Sequence, residues 1–219
     1  RQVVDLYEHY VRTIVQRYHD RVKYWISFCE INVMNHMLYM VGGTVLKEGE
    51  DREEVLHQCA YHKLLANARL VKVCHEIDSE LKVGCEVAGT PYYPLTSLPE
   101  DYQLMIEEQR KDSRYTDVMV KGHFPYYFLK KLKEYHVEIK EEDMEEMKKH
   151  TLDFIAVSYY KTSLASTEGV RDNPRLEKTA FGWTIDPKGF RIMLNQMYER
   201  YEKPIMVVEN GLGTYDQVE

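Results

Sequence analysis

Cysteine is scarce in this 219-residue chain: Cys29, Cys59, Cys74 and Cys85 are the only four. No two stand in a CxxC pair, so their spacing gives no zinc motif. Four cysteines in a chain this long do not make a disulfide framework either. Reduced, mostly buried thiols are the expectation. Runs of positive charge are also missing. No Lys/Arg stretch exceeds two, and 29 basic against 36 acidic side chains leave a formal net charge of −7. The basic footprint of a nucleic-acid-binding protein is therefore absent. Long apolar runs are absent too. Stretches such as 154–157 and 205–208 are far shorter than the ~18 residues of a membrane-spanning helix. No secretory-type leader stands before the first helical pattern. No GxGxxG follows a strand pattern, which leaves dinucleotide binding without support. The nine histidines carry no metal motif: His57 and His62 are five apart, off a shared helix face, and His75-Glu76 lacks the second His of HExxH. The composition predicts a soluble, globular, intracellular chain that binds neither nucleic acid nor membrane.

What is present is an alternation of helical and strand patterns. Val3, Leu6, Tyr7, Tyr10, Val11, Ile14 and Tyr18 recur at three- and four-residue steps, the mark of an amphipathic helix. That helix is already in progress at Arg1, with no N-cap and no initiator Met, so truncation is expected. Residues 21–30 read as a strand, 51–77 as a long helix and 81–88 as the next strand. A turn-rich stretch with Pro91, Pro94 and Pro99 follows, then a helix after Pro99. Helices are expected at 124–135 and 141–150, and a strand at 152–160. Asp186-Pro187, an N-cap followed by proline at the first helical position, opens a helix over 187–202. The last strand is 203–209. Strands alternating with helices imply a parallel sheet and an α/β fold, either an open sheet or part of a closed barrel.

Two carboxylates stand at comparable places. Glu30 ends one apolar strand pattern and Glu209 ends another, just before Asn210-Gly211. Sites in parallel α/β proteins are built at the carboxyl ends of strands. An acidic residue ending an apolar strand is costly unless paired or used. A pair of this kind is what glycoside cleavage requires, one acid for the leaving oxygen and one carboxylate for the anomeric carbon. The alternative is that each glutamate merely caps its strand and meets solvent.

The motifs around these residues resemble those of glycoside hydrolase family 1. Trp25-Ile-Ser-Phe-Cys-Glu30-Ile-Asn32 is similar to its Trp-x-Thr-Phe-Asn-Glu-x-Asn signature. Val207-Val208-Glu209-Asn210-Gly211 resembles its Thr-Glu-Asn-Gly signature, and Ser158-Tyr159-Tyr160 resembles its Asn-Tyr-Tyr. Phe181-Gly-Trp183-x-Ile185-x-Pro187-x-Gly189 matches the segment upstream of the nucleophile. Glu30-Ile-Asn, Ser-Tyr-Tyr, the stretch 115–122 and Asp186-Pro-Lys-Gly look most like the 6-phospho-β-glucosidases.

The resemblance implies a (β/α)8 barrel about twice as long as this chain, which would form a single partial domain, residues 1–219. Strands four to seven of that barrel would be 23–30, 81–88, 152–160 and 203–209. It implies retaining hydrolysis of phosphorylated β-glucosides in the cytoplasm, with no cofactor and no metal. Glu30 would be the general acid/base and Glu209 the nucleophile, with Tyr160 orienting Glu209. Trp183 would wall the leaving-group side. For Tyr160 and Trp183 the alternative is ordinary aromatic packing. Asn32 and Asn210 read as turn and cap residues. One position departs from the family pattern: Cys29 stands where the family has Asn facing the sugar 2-hydroxyl, and a thiol is a weak donor. A second reading follows from that departure and from the partial barrel, namely an inactive remnant that serves as a scaffold or sugar-binding fragment. Four strands cut from a barrel have two edges, so self-association is also expected.

Overall fold

The computed structural model describes residues 1–215. Its core is a four-stranded parallel sheet, β1 (Tyr24–Ile26), β2 (Lys82–Ala88), β4 (Phe154–Tyr159) and β7 (Ile205–Asn210), hydrogen-bonded in that order. Chain order and spatial order agree, as in successive staves of a barrel. The helices are α1 (Gln2–Tyr18), α2 (Leu38–Gly42), α3 (Arg52–Ile77), α4 (Pro99–Lys121), α5 (Tyr126–Glu134), α6 (Glu141–Lys149) and α7 (Pro187–Tyr201).

Local chemistry accounts for the helix ends. Asp51 caps α3 by accepting from the Glu53 and Glu54 N–H groups. Asp186 caps α7 through the Gly189 N–H, with Pro187 at the first helical position as the sequence implies. Helix α4 starts at Pro99 and stops at Gly122, whose φ of 70° is left-handed. A Cβ there would also meet the Lys148 backbone at 2.7 Å, so glycine is required on both counts.

One face of the sheet is buried under helices. Val83, Cys85, Val87, Ile155, Val157 and Tyr159 join Leu64, Leu65, Val71, Tyr115 and Phe128 in one continuous core. The opposite face carries Tyr24, Ile26, Gly84, Glu86, Phe154, Ala156 and Ser158, by the two-residue alternation of a strand. It is only partly covered: Tyr24 is 59% exposed and Ile26 40%. Phe154 folds over Gly84, where a Cβ would lie 2.5 Å from its ring.

Three features differ from the sequence reading. The strand expected over 23–30 ends at Ile26, and residues 31–35 form a 3-10 turn. The last strand runs one residue further than expected, to Asn210, and carries an irregularity opposite Val157/Ser158. A second small sheet was not foreseen: β3 (Tyr92–Pro94), β5 (Ser163–Ser166) and β6 (Gly169–Arg171), in the order β3-β5-β6. Its strands have three or four residues, too few for a periodic signal. No helix of the described residues is long and apolar enough to cross a membrane.

Candidate active site

The site lies at the carboxyl ends of the four parallel strands. Beyond Ile26 the chain still runs beside β2: the Ser27 N–H donates to Gly84 O, and the Glu86 N–H donates to Phe28 O, each at 3.0 Å. Glu30 then turns left-handed, with φ 41° and ψ 51°. For a non-glycine residue that costs about 1 kcal/mol. The Glu30 carbonyl accepts the Val33 N–H at 2.9 Å and so opens the 3-10 turn. Asn32 locks the turn to β2, donating to Ala88 O at 3.0 Å and accepting from the Ala88 N–H at 2.8 Å. Asn210 ties β7 to β4 by donating to Tyr159 O at 2.8 Å. Both asparagines thus hold the strand ends together.

The two strand-end glutamates meet around Ser158. The Ser158 hydroxyl donates to Glu30 Oε1 at 2.5 Å. Ser158 is also the register partner of Glu209, because the irregularity in β7 turns Glu209 onto its face. The Tyr160 hydroxyl donates to Glu209 Oε2 at 2.6 Å. That bond, with burial second, pushes the Tyr160 hydroxyl up to about 12, so it remains a donor. Trp183 lies against Tyr160, ring centroids 5.0 Å apart. The Trp183 N–H donates to Thr179 Oγ1 at 3.2 Å, which fixes its loop.

Cys29 is exposed, and its donor atom clusters with those of Glu86 and Glu209, all within 4.8 Å of one another. Burial and the nearby Glu86, Glu209 and Glu30 carboxylates push the thiol up to about 11. Glu86 is the residue that the sequence reading missed. It is 5% exposed, and among the described residues its Oε1 has no hydrogen-bond partner. Burial raises its carboxyl; the charges of Glu209 and Glu30 add to this, while Cys29 and Ser158 oppose it. A signal for it existed. Leu81, Val83, Cys85 and Val87 alternate as the helix-facing set, which places Glu86 on the other face, amid an otherwise apolar strand. Of the histidines that the sequence reading set aside, His57 is buried, stacked on Tyr135 at 4.5 Å and bonded through Nδ1 to Glu53 O at 2.7 Å.

Comparison with known proteins identifies the family of the chain. The family model of glycosyl hydrolase family 1 matches residues 1–219. The aryl-phospho-beta-D-glucosidase BglH of Bacillus subtilis is 43% identical over 234 residues, covering 100% of this chain and 50% of the relative. A 6-phospho-beta-glucosidase of Clostridium longisporum is 40% identical, covering 100% and 49%. Among solved structures, a family 1 β-glucosidase of Thermotoga maritima superposes with a TM-score of 0.84 at 28% identity, covering 100% of this chain and 51% of that one. The chain spans about half the length of the curated relatives it matches, and its sheet is the corresponding half of their (β/α)8 barrel. With the motifs, the half-barrel and the matches in agreement, the chain belongs to glycosyl hydrolase family 1.

Proposed function

We propose that the protein carrying this chain is a retaining β-glycosidase that hydrolyses 6-phospho-β-D-glucosides in the cytoplasm. Glu209 is the nucleophile, attacking the anomeric carbon and leaving a glycosyl-enzyme ester. Glu30 protonates the departing oxygen and then activates the water that releases the sugar. Tyr160 holds one Glu209 oxygen, so the other faces the substrate. Trp183, against Tyr160, walls the leaving-group side, and Cys29 lies against the sugar. The observation that carries this reading is the Tyr160–Glu209 bond of 2.6 Å, at the strand end where Ser158 holds Glu30. The phosphorylated substrate class rests on the names of the relatives, an aryl-phospho-beta-D-glucosidase and a 6-phospho-beta-glucosidase.

The test has two parts, both on the full-length protein. Turnover of a chromogenic 6-phospho-β-glucoside is compared with turnover of the unphosphorylated glucoside. An activated 2-fluoro glycoside then traps the ester for mass spectrometry. The reading expects faster hydrolysis of the phosphorylated substrate and an adduct on Glu209. An adduct elsewhere removes the assignment.

A second reading is favoured by Cys29 and Glu86. A thiol stands where the family signature has an amide, and a third, buried carboxylate stands beside the proposed nucleophile. On that reading the chain is an inactive scaffold or sugar-binding fragment, and it would bind a phosphoglucoside without turning it over. The partly covered sheet face, with Tyr24 and Ile26 exposed, also supports self-association of the chain.

A further inference from the structure

We propose that Cys29, Glu86 and Glu209 form a binding site for a single zinc-like divalent cation. The three come from three separate segments: the turn after β1, the middle of β2 and the end of β7. Their donor atoms converge within 4.8 Å. Three ligands on one tetrahedral zinc lie about 3.5 Å apart, given Zn–S near 2.3 Å and Zn–O near 2.1 Å. Closing the difference takes a shift of about 1 Å at the exposed Cys29 and Glu209 side chains, the latter moving against its bond from Tyr160. Glu86 supplies the independent observation. It is a carboxylate 5% exposed, one oxygen of which lies within 4.8 Å of both other donor atoms, and its Oε1 has no partner among the described residues. A buried acceptor left unpaired is costly, and a cation removes that cost.

The donor set selects the class of ion. One sulfur and two carboxylate oxygens suit a borderline cation such as Zn2+ or Cd2+; Mg2+ prefers oxygen ligands and keeps its waters. Binding releases the thiol proton to solvent, and the thiolate then bonds to the metal. Three protein ligands leave a fourth position on the open side of the sheet, for water or for another ligand. No ligand spacing in the sequence announces such a site, because the cluster exists only through strand register. The consequence for turnover rests on the reading above: a cation held by Glu209 competes with the glycoside for the same carboxylate.

The experiment titrates the purified full-length protein with ZnCl2 in a calorimeter, and with CdCl2 and CoCl2 by absorbance. One cation per chain is expected, with a sulfur-to-metal charge-transfer band for cadmium and cobalt. Cys29→Ser should abolish the band, and Cys59→Ser should leave it. Glu86→Gln should weaken zinc binding by at least about tenfold to a hundredfold, the range already seen for groups one shell further out. Alkylation of Cys29, read by mass spectrometry, should be suppressed by Zn2+ and unaffected by Mg2+. The site is overturned by the absence of saturable one-to-one binding, by a band that survives Cys29→Ser, or by unchanged affinity in a folded Glu86→Gln. If Glu86→Gln does not fold, the exposed Cys29→Ser and the alkylation assay decide. None of these readouts needs turnover. A protein without hydrolase activity would still decide the cation site, and hydrolysis without cation binding would remove the site alone.

Discussion

Removing the hydroxyl of Tyr160 isolates one interaction of the proposed site. The Tyr160→Phe side chain keeps its ring against Trp183, whose centroid lies 5.0 Å away, and loses only the 2.6 Å bond to Glu209. A hydrogen bond to a charged group contributes about 1.5–3 kcal/mol. Glu209 is exposed, so water replaces part of the lost bond and the lower end applies. About 1.5 kcal/mol corresponds to a roughly tenfold fall in kcat/KM. Stability should change by less than about 0.5 kcal/mol, because the hydroxyl lies outside the core. The neighbouring Tyr159 provides the contrast. Successive residues of a strand face opposite ways, and Tyr159 packs on the helix side, stacked on Phe190 at 4.8 Å with its hydroxyl donating to Asp186 O. Tyr159→Phe should therefore lower the melting temperature more than Tyr160→Phe does, and kcat/KM less. The assays are steady-state hydrolysis of a chromogenic 6-phospho-β-glucoside and thermal unfolding, on the full-length protein. If Tyr160→Phe keeps kcat/KM within twofold of the parent, the orienting role is wrong.

Other outcomes follow from the same structure. If Cys29 leaves the sugar 2-hydroxyl without a strong donor, Cys29→Asn should raise kcat/KM by roughly tenfold to a hundredfold, 1–3 kcal/mol; an unchanged or lower value means the loss is already compensated. Asp117, 1% exposed, accepts from Arg200 at 2.6 and 2.9 Å and from Tyr127 at 2.7 Å, so Asp117→Asn should cost about 1.5–3 kcal/mol in urea unfolding. Burial would raise the Asp117 carboxyl, but Arg200, Tyr127 and Lys121 outweigh it and hold it below its usual value. Its contribution is therefore present above the carboxylate's unfolded pKa and is lost as pH falls through the lower folded one, a slope that Asp117→Asn should flatten. Gly84→Ala sets a Cβ against the Phe154 ring and should destabilise by about 1–3 kcal/mol, seen as a lower midpoint at constant m-value. The 219-residue chain, with Tyr24 and Ile26 exposed, should sediment as more than a monomer, and a concentration-independent monomer would count against self-association.

The parts of this protein legible in the sequence are those set by neighbours in the chain. Helix α7 follows from Asp186-Pro187, and α4 from Pro99 and Gly122, because caps and prolines act within one turn. The parallel sheet follows from apolar strands alternating with helices, and the place of Glu209 near the end of the last strand follows from where that apolar pattern stops. Tertiary structure decided the rest. The chain before Glu30 leaves regular strand at Ile26 but stays bonded to β2 as far as Phe28, and Glu30 then turns left-handed into a 3-10 turn that Asn32 clamps to β2, a bond between residues 56 apart in the chain. The pairing of Ser158 with Glu209 depends on an irregularity in β7, which no one-strand pattern reveals. Glu86 lies one strand away from the segment of Cys29, two strands away from Glu209, and far from both in sequence, so its place beside them came only from the register of four strands. Alternation along one strand can say which face a residue takes; only the pairing of strands says what it meets there.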